Sequence, residues 1–411
     1  MKILVYEYVS GGGFAEKPVS PGVLSEGFGM LRSVVSDFEA AGHSVTTVLD
    51  SRLSLLNAPL EAEHVVPVSS LAEGDAAVRK ISAEKVDAVY IIAPESEGIL
   101  QSLVANIEQT GTTLLNCSSA AIGKVADKFL FQEHVRNLRV PTPESLMFSI
   151  YEEVEVISRS INERVGFPAV VKPLDGIGCV GLSIVLGKND VSGSMANIRK
   201  ESTGKFFMAQ QFVKGDSVSV SVLSTVEEPL PISLNKQDVS LWTPDSSSSY
   251  NGGTVPLDSS LKLEAFDLTK RVVESFHGLK GYVGVDLVLN DSGAFVIEVN
   301  PRLTTSYVGL RKVVRFNLAE AMLNSVFDGR LPANLESVGY ACFSKVKTPK
   351  PTIEALKTIY SIDEVVSPPF PISQDEHACA LLCSHHSTLE NAKCGLNEAK
   401  ERLTGKSVGG R

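Results

Sequence analysis

The chain has 411 residues, with 38 Lys and Arg set against 48 Asp and Glu for a formal charge of −10, and 43% of it is hydrophobic. That length predicts about two to three domains with real cores and excludes a disordered or collagen-like chain. The acidic balance excludes a dedicated nucleic-acid binder, which needs positive charge in excess. No window reaches the ~20 apolar residues that span a bilayer, and residues 1–10 lack a signal-peptide cleavage site, so a cytoplasmic protein without a membrane partner is expected.

In chain order, residues 2–9 read as a branched, apolar strand, 27–41 as a helix with Phe28, Leu31, Val34, Val35 and Phe38 at helical spacing, and 43–49 as a strand again. The cycle repeats through 86–92, 99–108 and 112–116. Strands alternating with helices predict a parallel, helix-covered α/β domain over 1–117. From Ser118 the pattern changes. Residues 120–137 and 152–165 read as helices, and β-like runs follow at 169–172, 180–186, 206–213, 218–223, 282–289 and 294–299, predicting an α+β unit with antiparallel sheets over 118–330. The remainder, 331–411, holds β-like runs at 340–346 and 378–383, a proline-rich stretch and a helix over 389–403, and reads as a small appended α+β domain. The six cysteines form no paired framework and read as reduced thiols. His377, Cys379, Cys383 and His385 share one parity, but an extended strand at ~3.3 Å per residue would hold its two histidines about 26 Å apart, too far for one zinc ion.

Three segments carry chemistry. In residues 282–302, a three-residue loop of Asp291, Ser292 and Gly293 would pair 290 with 294 and 286 with 298, so that Asp286, Glu298 and Asn300 share one face of a hairpin. Two carboxylates and an amide oxygen repel without a cation and suit Mg²⁺, although a solvated polar face opposite Val283, Val285, Leu287 and Val299 would look the same. Lys172 ends a strand and precedes Asp175, Gly176, Gly178 and Gly181, a pattern that serves equally for a phosphate-cradling loop or a tight turn. It is neither a dinucleotide fingerprint nor a P-loop. Gln210, Gln211, Phe212 and Val213, with Asp216 just beyond, form an edge whose backbone can read an adenine.

Taken together and in this order, the three segments resemble the ATP-grasp superfamily over 1–330, with a pre-ATP-grasp domain followed by two lobes that clamp ATP. The resemblance implies that Lys128 and Lys172 contact phosphates, that the loop with Asp175, Gly176 and Gly178 closes over them, and that residues 210–213 and Asp216 hold the nucleoside. It implies Mg²⁺, or Mn²⁺, on Asp286, Glu298 and Asn300, with Arg302 and Lys172 acting on the transferring phosphate. Gln211 stands where Glu is usual, and Ser217 where the ribose acid is usual, with Asp216 beside it. Asn235, Gln237, Tyr250, Gly252 and Gly253, with the run from Asn300 to Tyr307, are similar to the carboxylate–amine ligases that include the tyramine–glutamate ligases of methanofuran biosynthesis. That resemblance places these residues and Arg302 at the substrates and implies an acyl-phosphate route releasing ADP, with L-glutamate and tyramine as partners and a homodimer admitted. Another amino-acid ligase, a nucleotide-binding regulatory protein, and a carboxylase served by a separate biotin carrier are the other readings. Glu7 and Glu26 read as amine contacts or as loop acids, Gly11, Gly12 and Gly13 as a turn or substrate-side loop, and Trp242 with Tyr250 as pocket aromatics or packing.

Overall fold

The computed structural model describes residues 1–174, 176 and 179–405. Strands β1 (Lys2–Glu7), β2 (Ser44–Asp50), β3 (His64–Val68), β4 (Ala88–Ile92) and β5 (Thr113–Leu114) form a parallel sheet in the order β3-β2-β1-β4-β5. Ile3, Leu4, Val5 and Tyr6 are all fully buried, as a central strand covered on both faces requires. The β3 strand escaped the sequence reading because it is a short, largely exposed edge containing Pro67. The order reverses between β1 and β4, and open α/β sheets bind ligands beyond the carboxyl ends of strands at such a switch point.

The helix expected over 120–137 is two helices, Ser119–Ala126 and Lys128–Asn137. Asp127 breaks it: its backbone is extended and its carboxylate accepts the Phe129 and Leu130 amides at 3.0 Å each, an N-cap that starts a new helix at Lys128. Strands β6 (Ser145–Ser149), β7 (Ala169–Pro173), β8 (Ser183–Val185) and β9 (Phe206–Gln211) then build a four-stranded sheet, order β6-β9-β7-β8. This lobe has its own core, in which Phe148, Ile157, Ile161, Val171 and Phe207 meet.

The third sheet is antiparallel and eight-stranded: β10 (Asp216–Ser224), β11 (Pro229–Ser240), β12 (Ser249–Val255), β13 (Gly281–Asn290), β14 (Gly293–Asn300), β15 (Tyr340–Pro349), β16 (Val365–Ser367) and β17 (His377–His386), in the order β14-β13-β10-β11-β12-β15-β17-β16. The last three strands belong to 331–411, so the segment read as an appended domain continues the sheet of the preceding lobe. Strand β17 runs unbroken from His377 to His386, which keeps His377 and His385 near opposite ends, as the spacing predicts. No helix among the described residues is long and apolar enough to cross a membrane.

Gly252, with φ of +138°, lies where β12 meets β15, and a Cβ there would overlap the Phe343 carbonyl. Gly253 is equally tight against the Lys236 carbonyl. Both glycines, expected at the substrate, serve close strand approach instead. Gly252→Ala is expected to destabilise the protein by about 2–3 kcal/mol through backbone strain and overlap; a melting temperature equal to wild type would refute this role.

Candidate active site

The β13–β14 hairpin turns one residue earlier than the sequence suggests. Asn290 pairs with Gly293, leaving the two-residue loop Asp291-Ser292, and Leu287 pairs with Val296. A bulge at Ile297 then restores the expected register, with Asp286 opposite Glu298 and Gly284 opposite Asn300. Asp286, Glu298 and Asn300 therefore share a half-buried face, while Val283, Val285, Leu287 and Val299 are buried on the other.

Asp286 accepts the amide of Gln237 at 3.0 Å and that of Asn300 at 3.2 Å. Burial, then the charge of Glu298, push the Asp286 carboxyl well up, against those two amide bonds. Burial would raise Glu298 too, but the Lys128 and Lys172 ammoniums hold it well below the usual range. Lys128 Nζ lies 2.8 Å from Glu298 Oε2. Lys172 on β7 is buried, and burial pulls its ammonium down to about 8 against the attraction of Glu298. Two facing carboxylates with an amide oxygen beside them form a sparse hard-oxygen set that fits Mg²⁺, whose shell phosphate and water would complete. Among the described residues no group of three or more His, Cys, Asp or Glu side chains gathers to hold a metal.

Arg302 follows the hairpin. Its Nε lies 2.9 Å from Glu95 Oε1, and Nη1 donates to the Leu303 carbonyl at 3.0 Å. Glu95 sits just past β4 at the switch point; no local pattern marks it, and the sequence reading missed it.

Two chambers meet at Glu298, Asn300 and Arg302. One is lined by Glu95, Ser96, Gly98, Lys128, Leu174 and Gly176, so that of the predicted phosphate residues Lys128 and Gly176 stand on its walls, while Lys172 lines neither chamber. Asp175 and Gly178 lie outside the described residues. The other chamber is lined by Glu7, Val9, Val23, Glu26, Met30, Gln237 and Tyr250 along with Asp286. Lys345, from the C-terminal segment and unanticipated, donates to Glu26 at 2.6 Å and stands 5.6 Å from the Tyr250 ring centroid. Thr305 donates to the other Glu26 oxygen at 2.7 Å.

Other expected residues stand apart from these walls. Asn235 is fully buried, donating to Ser221 at 2.9 Å and accepting from Ser233 at 2.7 Å, so its amide is committed within the sheet. Gln210 is buried with its amide donating to Ser145 at 3.1 Å. Gln211 ends β9, and Phe212 and Val213 begin the connection to β10, between the two lobes. Asp216 is mostly exposed, 3.7 Å from Lys236 Nζ. Trp242 is exposed and lines neither chamber.

Comparison with known proteins agrees with this geometry. Residues 125–306 match the model of an ATP-grasp domain and 43–122 that of a pre-ATP-grasp domain. A tyramine–L-glutamate ligase from Methanocaldococcus fervens is 29% identical over 335 residues, covering 81% of this chain and 97% of that ligase. An ATP-grasp superfamily protein from Archaeoglobus fulgidus superposes with a TM-score of 0.62 at 22% identity, covering 93% of this chain and 99% of that one. An L-amino acid ligase from Bacillus licheniformis superposes at 0.67 with 14% identity, covering 97% of each chain.

Proposed function

We propose, from the premise that the chain belongs to the ATP-grasp family, that it is an ATP-dependent carboxylate–amine ligase with L-glutamate and tyramine as its substrates. The observation that carries this reading is the meeting of two chambers at Glu298, Asn300 and Arg302, with Asp286 opposite Glu298 and the charges of Lys128 and Lys172 both acting on Glu298. A relative named tyramine–L-glutamate ligase, aligned over most of both chains, supports the substrate pair.

In this reading a substrate carboxylate oxygen attacks the γ-phosphorus of ATP, the bond to the β-phosphate oxygen breaks, and ADP leaves an acyl-phosphate. The amine nitrogen then attacks the acyl carbon, phosphate departs, and the amide remains after proton loss. Bound by Asp286, Glu298 and Asn300, Mg²⁺, or Mn²⁺ with the same oxygen preference, would neutralise phosphate charge. Lys128 and Lys172 place ammonium groups on the phosphate side, and Arg302 spans both chambers, where negative charge passes from nucleotide to acyl-phosphate. Residues 211–213 hold the adenine and Asp216 the ribose. Neither step needs a nucleophile from the enzyme, and the protein works in the cytoplasm.

The test is product analysis with ATP, Mg²⁺ and a panel of acids and amines. ADP formed only when acid and amine are both present, with a new amide mass, is expected. AMP in place of ADP would overturn the acyl-phosphate route. Arg302→Lys is expected to lower kcat by about 100-fold, because an ammonium cannot satisfy both Glu95 and the phosphate as a guanidinium fork does. An ATP KM that rises as steeply as kcat falls would instead make Arg302 a simple nucleotide anchor.

A further inference from the structure

The substrate-side chamber is lined by four carboxylates: Glu7, Glu26, Asp286 and Glu298. Three of them have partners already described: Glu298 has Lys128, Glu26 has Lys345 and Thr305, and Asp286 has two amides and the cation reading. Glu7 differs. Among the described residues it makes no ion pair, and its oxygens are held only by neutral donors: the Val9 amide at 3.0 Å on Oε1, and the Ser10 amide at 2.7 Å and Ser10 hydroxyl at 2.6 Å on Oε2. Arg302, whose charge reaches it, is committed to Glu95.

The surroundings of Glu7 are built around its carboxylate. Glu7 ends β1 at the switch point, in register with Ile92 of β4, and is only 1% exposed although it lines the chamber. The turn Val9–Gly13, with Gly12 at φ of +100°, folds back over the strand end and delivers the Val9 and Ser10 amides. Gly27, on the facing helix Pro21–Ala40, leaves room: a Cβ there would lie 2.7 Å from Glu7 Oε2 and 2.8 Å from its carboxyl carbon. Buried carboxylates in folded proteins are paired or coordinate cations. Burial pushes the Glu7 carboxyl up, which a cation arriving in the chamber would reverse.

We propose that Glu7 is the seat of a substrate ammonium group, which supplies the counter-charge the protein itself withholds. This rests on the ligase reading and deepens it: the chamber selects ammonium-bearing substrates, and Val9, Val23, Met30 and Ile92 beside Glu7 give an apolar wall for an alkyl or aromatic body. Both proposed substrates carry such a group: the amine, which binds as an ammonium and passes one proton to the Glu7 carboxylate before its nitrogen attacks, and the amino acid, whose α-ammonium stays charged.

The experiment compares the full-length enzyme with Glu7→Gln in three assays: amide formation, hydroxamate formation with hydroxylamine as a nucleophile uncharged at neutral pH, and the same with glutarate in place of glutamate. Glu7→Gln is expected to raise the KM of one ammonium substrate about tenfold or more, with the ATP KM changed less than about twofold. If the seat holds the amine, the hydroxylamine reaction suffers much less than the tyramine reaction. If it holds the amino acid, glutamate suffers much more than glutarate. Unchanged KM values for both ammonium substrates would overturn the proposal. Should Glu7→Gln not fold, inhibition of the wild-type enzyme decides: equal inhibition by each substrate's ammonium-free analogue, alcohol for amine and glutarate for glutamate, overturns it. Absence of hydroxamate with wild type would refute the ligase reading itself, whereas wild-type hydroxamate with unaltered Glu7→Gln kinetics refutes only the seat.

Discussion

Glu298→Ala is expected to lower kcat by about 1,000-fold or more, with a much smaller loss of ATP binding. The carboxylate occupies the seam of the two chambers, and removing it strips the proposed metal face of its charge opposite Asp286. It also leaves the Lys128 ammonium, now 2.8 Å from Glu298, without its partner. Lys128, freed, and Lys172 beside it still attract phosphates, so ATP binding falls less than turnover. Glu298→Gln separates charge from shape, since it keeps the side-chain volume and is expected to lose nearly as much activity as the alanine variant. Steady-state ADP release and calorimetric titration of ATP with and without Mg²⁺ make the comparison. Wild-type turnover in either variant would remove Glu298 from the metal face, and an equal fall in affinity and turnover would make it a nucleotide-binding residue only.

The shared face of Asp286, Glu298 and Asn300 was legible because period-two alternation is local: once a hairpin is recognised, parity alone places the three together. The reading survived a wrong loop length because the bulge at Ile297 offsets the shorter turn, and a bulge leaves no mark in the alternation of this sequence. Lys128 required Asp127 to be seen as a cap. The apolar spacing runs on across it, so periodicity alone merged two helices into one. Asn235 and Gln237 have the same parity on β11, yet only Gln237 reaches the chamber. Asn235 lies opposite Ser219, whose hydroxyl is 3.4 Å from that of Ser306, so the chain after Arg302 covers this end of the face. Glu95 and Lys345 were out of reach for a different reason. They arrive through sheet order, β4 beside β1 and β15 beside β12, and nothing near them in the chain records those neighbours.

Sheet order also governs what removal of 331–411 should do. Strand β15 pairs with β12 on one side and with β17 along ten residue pairs on the other. Ala341, Phe343 and Leu381 are buried in the same core as β1 and the helix Pro21–Ala40. That helix leans on the segment: Phe28 meets Phe370 edge-on at 4.9 Å, Gly29 admits Leu381, and Arg32 donates to the Val365 carbonyl at 2.8 Å. Truncation therefore exposes the unpaired edge of β12 and strips apolar cover from a helix that carries Glu26 and Gly27. Burying a Phe or Leu side chain stabilises by about 1.5–3 kcal/mol, so losing several such contacts at once is comparable with the whole ~5–15 kcal/mol margin of an ordinary fold. A chain ending at residue 330 is expected to be largely insoluble, and any soluble fraction to lack a cooperative thermal transition. It would also lose Lys345, leaving Glu26 in the chamber without its cation. A soluble, cooperatively folding truncation with wild-type turnover would mean that β12 can serve as a natural edge and that the substrate chamber is complete without the segment.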